Sequence, residues 1–183
     1  MTRRGDWMQT FTGRQFWPLD PRAEEIHIED IAHSLAMQCR YAGHSIRFYS
    51  VAEHCVHIAR EANRLSGPEV AMWALLHDAS EAYLVDVPRP LKRFLTGYAE
   101  LEDAVMAAVC VRFGLDFAMP PIVKQLDGDI LRDESFQNMT TPPVAWEYPT
   151  NQSLGLNLGY WSPEVAEAEF IQMFDALEIA RRA

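Results

Sequence analysis

From Ser50 onward the chain is punctuated as a run of helices, and this punctuation limits its fold more than any other feature. Ser50 and Glu53 have the spacing of a capping box, in which a Ser side chain and a Glu three residues on satisfy each other's free backbone N–H groups. A helix is therefore predicted from Val51 to about Leu65. Ser66 and Glu69 repeat the pattern, with Pro68 in the first turn, and open a helix through Ala82. Pro88 and Pro90 mark a turn. Gly114 closes a helix from about Tyr98 to Phe113, Pro120 and Pro121 open one to about Met139, and Ser162-Pro163 starts one that runs to the end. Upstream, Ile28, Ile31, Leu35 and Cys39 share a stripe at helical spacing, which predicts a helix from Ile28 to about Tyr41. Nothing reads as a strand series or a βαβ alternation, so the expected class is all-α, a single-domain helical bundle over residues 1–183. Residues 1–26, with the turn-like Thr12-Gly13-Arg14, read as an N-terminal arm or short hairpin. Residues 140–161 hold three Pro and two Gly without a period, and read as an ordered irregular loop before the last helix.

Composition narrows the function classes. The chain of 183 residues is long enough to bury a core. No apolar run reaches the ~20 residues of a membrane span, and the N-terminus lacks the apolar stretch of a signal peptide. Cys39, Cys55 and Cys110 form no CxxC pair and are odd in number, so a disulfide framework or thiolate zinc site is not expected and a cytoplasmic setting is. The formal charge of −10 argues against nucleic acid and anionic membranes as partners, and an anionic substrate would need local positive charge. Of the basic residues fourteen are Arg and two are Lys, Lys92 and Lys124.

Three helices each direct metal-competent groups toward a shared interior. His54 borders the face defined by Val51, Cys55, Ile58, Ala62 and Leu65, whereas His57, beside Arg60, Glu61 and Arg64, is expected to be more exposed. His77, followed by Asp78, shares a stripe with Val70, Trp73 and Ala74. Asp127 sits at the edge of the stripe of Val123, Leu126 and Ile130, while Asp129 is expected on the solvated face with Gln125, Arg132 and Asp133. Buried imidazoles and carboxylates are costly unless paired or ligated. The bland reading is a hydrogen-bonded polar core; the alternative is one divalent ion, for which two imidazoles and two carboxylates suit Mn, Fe, Co or Zn, with Mg as the harder choice.

The segments Tyr49-Ser50-Val51-Ala52-Glu53-His54, Leu75-Leu76-His77-Asp78-Ala79-Ser80-Glu81-Ala82-Tyr83 and Val123-Lys124-Gln125-Leu126-Asp127 resemble the H…HD…D signature of the HD-domain phosphohydrolases. Phe11 to Pro21 and Trp161 to Phe170 extend the likeness to a compact branch similar to the 5′-deoxynucleotidases and the phage dATP triphosphohydrolases. The resemblance implies an HD-type helical bundle, an enzyme that hydrolyses phosphate esters, and metal ligation by His54, His77, Asp78 and Asp127. It also implies that Glu81 helps to orient or activate the attacking water and that Asp86 lines the catalytic pocket, although a turn acid is an equal reading of Asp86. A bound metal would lower the pKa of that water and polarise a phosphoryl oxygen. All six histidines lie at or before the His77-Asp78 pair, where two-metal HD families take further histidines after it, so one catalytic metal is expected.

Lys92 and Lys124 lie near the motif residues, and the resemblance places phosphate-binding lysines at or near them; the plain alternative is two surface lysines. Arg40 resembles a substrate-contacting arginine, or serves as a helix C-terminal cation. Arg89, Arg47 and Arg93 are further helpers without motif support. Trp17, Phe16, Tyr83 and Pro90 are candidate walls for a base, and His33 is either a partner of the site or a core histidine. The leading expectation is hydrolysis of the 5′ phosphate ester of a (deoxy)nucleotide, leaning on the two lysines to a dATP-like dNTP triphosphohydrolase that gives deoxynucleoside and triphosphate. The alternatives are a 5′-deoxynucleotidase on monophosphates, a non-catalytic nucleotide-binding sensor that keeps the metal site, and a structural helical protein. Small nucleotidases of the resembled kind imply a homo-oligomer.

Overall fold

A computed structural model describes residues 2–150 and 152–183; Met1 and Asn151, at the start of the expected arm and inside the expected loop, lie outside the described residues. The chain is mostly helical, as its punctuation requires. A hairpin of β1 (Met8–Gln9) and β2 (Gln15–Phe16) pairs Met8 with Phe16 and Gln9 with Gln15. Asp30 anchors it by accepting from the Thr12 N–H at 2.8 Å and the Thr12 hydroxyl at 3.0 Å. Helices α1 (Ile28–Met37), α2 (Val51–Ser66), α3 (Pro68–Leu76), α6 (Tyr98–Phe113), α7 (Pro121–Asn138) and α8 (Pro163–Arg181) carry the bulk, with single turns α4 (Glu81–Leu84) and α5 (Arg89–Lys92) between α3 and α6.

Helices α2 and α3 pack most closely, α8 lies against α1, α2 and α3, and α7 lies against α2. The reason is local: six consecutive residues of α3, Ala71 to Leu76, are buried, and a helix apolar on every side must be enclosed. Phe170 and Ala166 from α8, Ile58 and Ala62 from α2, and Val123 and Ile130 from α7 complete one continuous core. Leu65, expected on the buried face of α2, is instead 48% exposed near its end.

Four local expectations need correction. Helix α1 stops at Met37 rather than near Tyr41, because Cys39 pairs with Ser50 in an isolated bridge and the Arg40 N–H donates to the Tyr49 carbonyl. Tyr41, Ala42 and Gly43 then all take left-handed φ, a turn that swings Arg40 and Tyr41 inward. Ser66 is the last residue of α2 rather than a cap of α3; Gly67, at φ 83°, ends one helix and starts the other. Ser50 does cap α2, accepting from the Glu53 N–H at 3.0 Å, but the Glu53 side chain serves a different partner. Finally, the helix expected through Ala82 breaks after Leu76. Bonds of the i→i+3 kind (Ala79 to Leu76, Glu81 to Asp78, Tyr83 to Ser80) tighten the chain there. Four residues separate His77 from Glu81, one turn of the α-helix expected there, but at three residues per turn it is Asp78 that aligns with Glu81.

The described residues of 140–161 have no regular structure, yet they are bound along α7. The Thr150 hydroxyl donates to Asp129, the Ser153 hydroxyl and Leu154 N–H donate to Asp133, and the Leu158 N–H donates to Gln137. Asp129 is therefore 2% exposed and Asp133 7%, against the expectation of a solvated face. Gly128 permits the approach, since a Cβ there would lie 3.3 Å from Thr150 Cγ2 and 3.5 Å from Pro149 Cβ. The strap ends on Glu53, whose fully buried carboxylate accepts the N–H groups of Gly159, Tyr160 and Trp161 at 2.6, 3.0 and 2.8 Å. His57, expected to be more exposed, is buried against the same carboxylate, with its Nε2 3.3 Å away and its ring beside Trp161.

Candidate metal centre

The four sequence-derived ligands converge. Helix α2 supplies His54, the tightened turn after α3 supplies His77 and Asp78, and α7 supplies Asp127. His54 Nε2 lies 3.3 Å from Asp127 Oδ1 and 3.7 Å from Asp78 Oδ2, and His77 Nε2 lies 3.3 Å from Asp78 Oδ2. One ligand atom each from His54, His77 and Asp127 falls within 4.8 Å of the others.

The tautomers follow from what each imidazole touches on its far side. His77 Nδ1 is 2.7 Å from the Ala74 carbonyl, which can only accept, so Nδ1 carries the proton. His54 Nδ1 is 2.6 Å from Glu134 Oε1, and the same logic applies to that carboxylate. In their neutral forms both imidazoles thus present an Nε2 lone pair to the carboxylates of Asp78 and Asp127. Both Nε2 atoms are buried without a hydrogen-bond partner. Nitrogen and oxygen acceptors facing one another across a buried gap repel unless a cation lies between them. His54, His77, Asp78 and Asp127 can hold a metal ion, and this donor set suits a borderline divalent one.

The electrostatics agree with a pocket built for positive charge. Burial and Arg40 lower the His54 pKa, but Glu134 and Asp127 outweigh them and push it up to about 9, so without a metal a proton takes the place that an ion would fill. Burial works against ionisation of Asp127, yet His54, His77 and Arg40 hold its carboxyl well below the usual carboxylate range. Burial, reinforced by Asp78 and Asp86, pushes the Glu81 carboxyl up to about 10. Glu81 is 7% exposed and its Oε2 has no partner. Asp86 is also raised, chiefly by burial, and its N–H donates to Gln38 Oε1 at 2.9 Å. Gln38 Nε2 in turn donates to the Glu81 carbonyl, which locks the segment carrying both acids onto the end of α1.

Glu134, not among the residues expected from the sequence, stands directly behind His54. It is fully buried, accepts from His54, and is held by the Tyr41 hydroxyl and by Arg40 Nη2 at 3.3 Å. A carboxylate behind a ligating imidazole fixes the ring's orientation and raises its basicity. The signal was present, since Glu134 follows Asp127 by seven residues, two turns along the same helix face.

The remaining expected site residues are distributed unevenly. Arg40 belongs to the centre, with Nη1 3.7 Å from Asp78 Oδ2. Lys92 pairs with Glu102 at 2.6 Å and lies over the Tyr98 ring. Lys124 is exposed and forms no ion pair or hydrogen bond among the described residues. Pro90 is exposed on α5, and Trp17 lies under the Arg3 guanidinium, 4.0 Å from the ring centroid. Phe16 and Tyr83 stack on one another in the core. His33 pairs with Glu167 of α8 at 2.9 Å and stacks beneath Phe11, so it serves the arm rather than the centre. Cys55 Sγ is 3.9 Å from His77 Nδ1, on the ring edge already committed to Ala74. Burial pushes its thiol up, so it packs as a neutral side chain.

The uncharacterized protein YfdR of Escherichia coli (strain K12) is 34% identical over 174 residues, which cover 95% of this chain and 86% of that protein. The chain belongs to the YfdR family. An uncharacterized protein of Rhodobacter capsulatus is 41% identical over 125 residues, 65% of this chain and 64% of that protein's length. No family model matches the chain. The YfdR alignment is long enough to span every ligand of the centre, since at most nine residues of this chain fall outside it (183 − 174) and His54 to Asp127 lie deep within. No helix among the described residues is long and apolar enough to cross a membrane.

Proposed function

We propose that this YfdR-family chain is a metal-dependent phosphohydrolase of the HD type, and that it cleaves the 5′ phosphate ester of a (deoxy)nucleotide. The observation that carries the reading is the pair of buried, unpartnered Nε2 atoms of His54 and His77 directed at the carboxylates of Asp78 and Asp127. His54, His77, Asp78 and Asp127 would hold the metal ion, and the chemistry it would supply when bound is Lewis acidity toward water and a phosphoryl oxygen.

The protein's own groups provide the rest. Glu134, braced by Tyr41 and Arg40, holds His54 in one tautomer. Glu81, buried with one oxygen unpartnered, is placed to orient the attacking water; with its pKa pushed up to about 10 it holds a proton, and a cation bound beside it would lower that value toward the range of a general base. Asp86 sits in the field of the same acids. Arg40 offsets part of this negative charge from within. The ion pair between Lys92 and Glu102 reduces the support that the lysines give to a triphosphate tail, so substrate length is a matter for the assay.

The test is a screen of deoxynucleoside mono-, di- and triphosphates with Mn, Co, Fe, Zn and Mg, with products separated by chromatography. A triphosphohydrolase yields deoxynucleoside and triphosphate from a dNTP; a monophosphatase yields orthophosphate from the monophosphate alone. Parent protein that takes up metal but turns over nothing across the panel would replace this reading with a nucleotide-binding sensor. Parent protein that takes up no metal would leave a polar core.

A further inference from the structure

The site as described has an imbalance. Asp78, Glu81, Asp86, Asp127 and Glu134 gather around it in a chain of net charge −10, and an anionic substrate must still approach. The cations nearest the centre are mostly committed. Arg40 is 11% exposed and held between Asp78 and Glu134. Lys92 is paired with Glu102. Arg89 differs from both: its Nη2 donates to Asp127 Oδ2 at 3.1 Å, yet its side chain is 65% exposed.

We propose that Arg89 is the phosphate-binding cation of the centre, and that Asp127 is only its resting partner. This inference rests on the metal centre proposed above. Asp127 is a ligand in that reading, and a carboxylate that shares its charge with a divalent ion holds a neighbouring guanidinium less strongly. An ion pair this exposed is weak in any case, so exchange for a better partner meets little resistance. Arg89 is the more exposed member of the pair, 65% against 22% for Asp127, and so the more accessible to a phosphate. Its planar fork matches two phosphate oxygens at once, which a lysine cannot do. Helix α5 is a single turn that follows Pro88 and holds Pro90 within it, and the apolar side chains of Leu91 in it and Phe94 just beyond it are 53% and 70% exposed. Little packing therefore fixes the guanidinium where it now lies.

The test uses the full chain as parent, R89Q and R89K, each titrated calorimetrically with Mn²⁺ and then, loaded, with tripolyphosphate and orthophosphate. R89Q is expected to bind Mn²⁺ at least as tightly as the parent, because a competing cation has left Asp127. It should bind tripolyphosphate roughly ten- to a hundredfold more weakly, the range for a lost charged hydrogen bond. R89K should fall between, keeping the charge without the fork. Unchanged tripolyphosphate affinity in R89Q overturns the proposal. So does loss of Mn²⁺ affinity in R89Q, which would make Arg89 a support for Asp127. A parent that binds no ion removes the metal centre itself, and that result is distinct from a parent that binds the ion but does not need Arg89.

Discussion

His54 Nδ1 and Glu134 Oε1 lie 2.6 Å apart inside the bundle, both side chains fully enclosed, on helices whose residues are eighty positions apart in sequence. This contact fixes which nitrogen of His54 faces Asp127. Replacing Glu134 by Gln retains the volume but removes the charge behind the imidazole. The expected result is a roughly 10- to 100-fold loss of divalent-metal affinity, the usual effect of losing such an outer partner. Competition against a chromogenic chelator measures it. Tyr41→Phe, which removes one bond to the same carboxylate, should produce a smaller loss in the same direction.

Glu81 is expected to act on turnover rather than on metal loading. Glu81→Gln should reduce kcat by about 10²- to 10⁴-fold, the range for a positioned acid or base, with bound metal per chain unchanged. Steady-state kinetics beside elemental analysis separates the two effects. A variant that lost metal in proportion to activity would move Glu81 into the ligand set.

Glu53 presents the opposite case, a buried acid whose work is structural. Its carboxylate accepts three successive backbone N–H groups from the end of the strap. Glu53→Gln leaves donors unmatched in a buried place and should cost about 3 kcal/mol of stability. Urea denaturation followed by circular dichroism gives the value. Metal affinity measured well below the melting temperature should remain close to that of the parent.

A pH dependence attaches to His27, away from the centre. Burial, then Arg14, lower its pKa below the ordinary 6.5, and Arg112 adds to this while Asp30 and Glu29 oppose it. Below 6.5 the unfolded chain takes up a proton that folded His27 still refuses. The group's contribution is therefore complete above that value and is lost as pH falls through the lower folded value. His27→Gln should show a smaller fall in melting temperature between pH 7 and pH 5 than the parent. An identical fall in both would remove His27 as the source.

Helix starts and stops were legible where they depend on neighbours in sequence. Tyr98, Phe113 and Gly114 fall where local spacing put them, because caps and glycines act within one turn. The facing of His54 and Asp127 was legible for a related reason: helical period assigns a side chain to a stripe before the partner helix is known. What could not be read was anything set by a distant segment. Asp129 and Asp133 look solvated beside Arg132, and it is Thr150, Ser153 and Leu154 of the strap that bind them. Glu53 has the spacing of a capping residue, and only the amides of residues 159–161 reveal its actual partner. The break after Leu76 was hidden for another reason, since a 3₁₀ turn and an α turn share nearly the same dihedral angles and composition.

The clasp at Glu53 sets an order of assembly. During synthesis His54, His77, Asp78 and Asp127 leave the ribosome before the strap and α8 do. A nascent chain that ends at α7 already carries all four ligands, but the outer side of α7 is still wet and Glu53 is a bare carboxylate one residue from His54. Donor set and clasp are thereby separated in time: the His/Asp cluster has all its residues before residues 159–161 arrive to satisfy the Glu53 carboxylate.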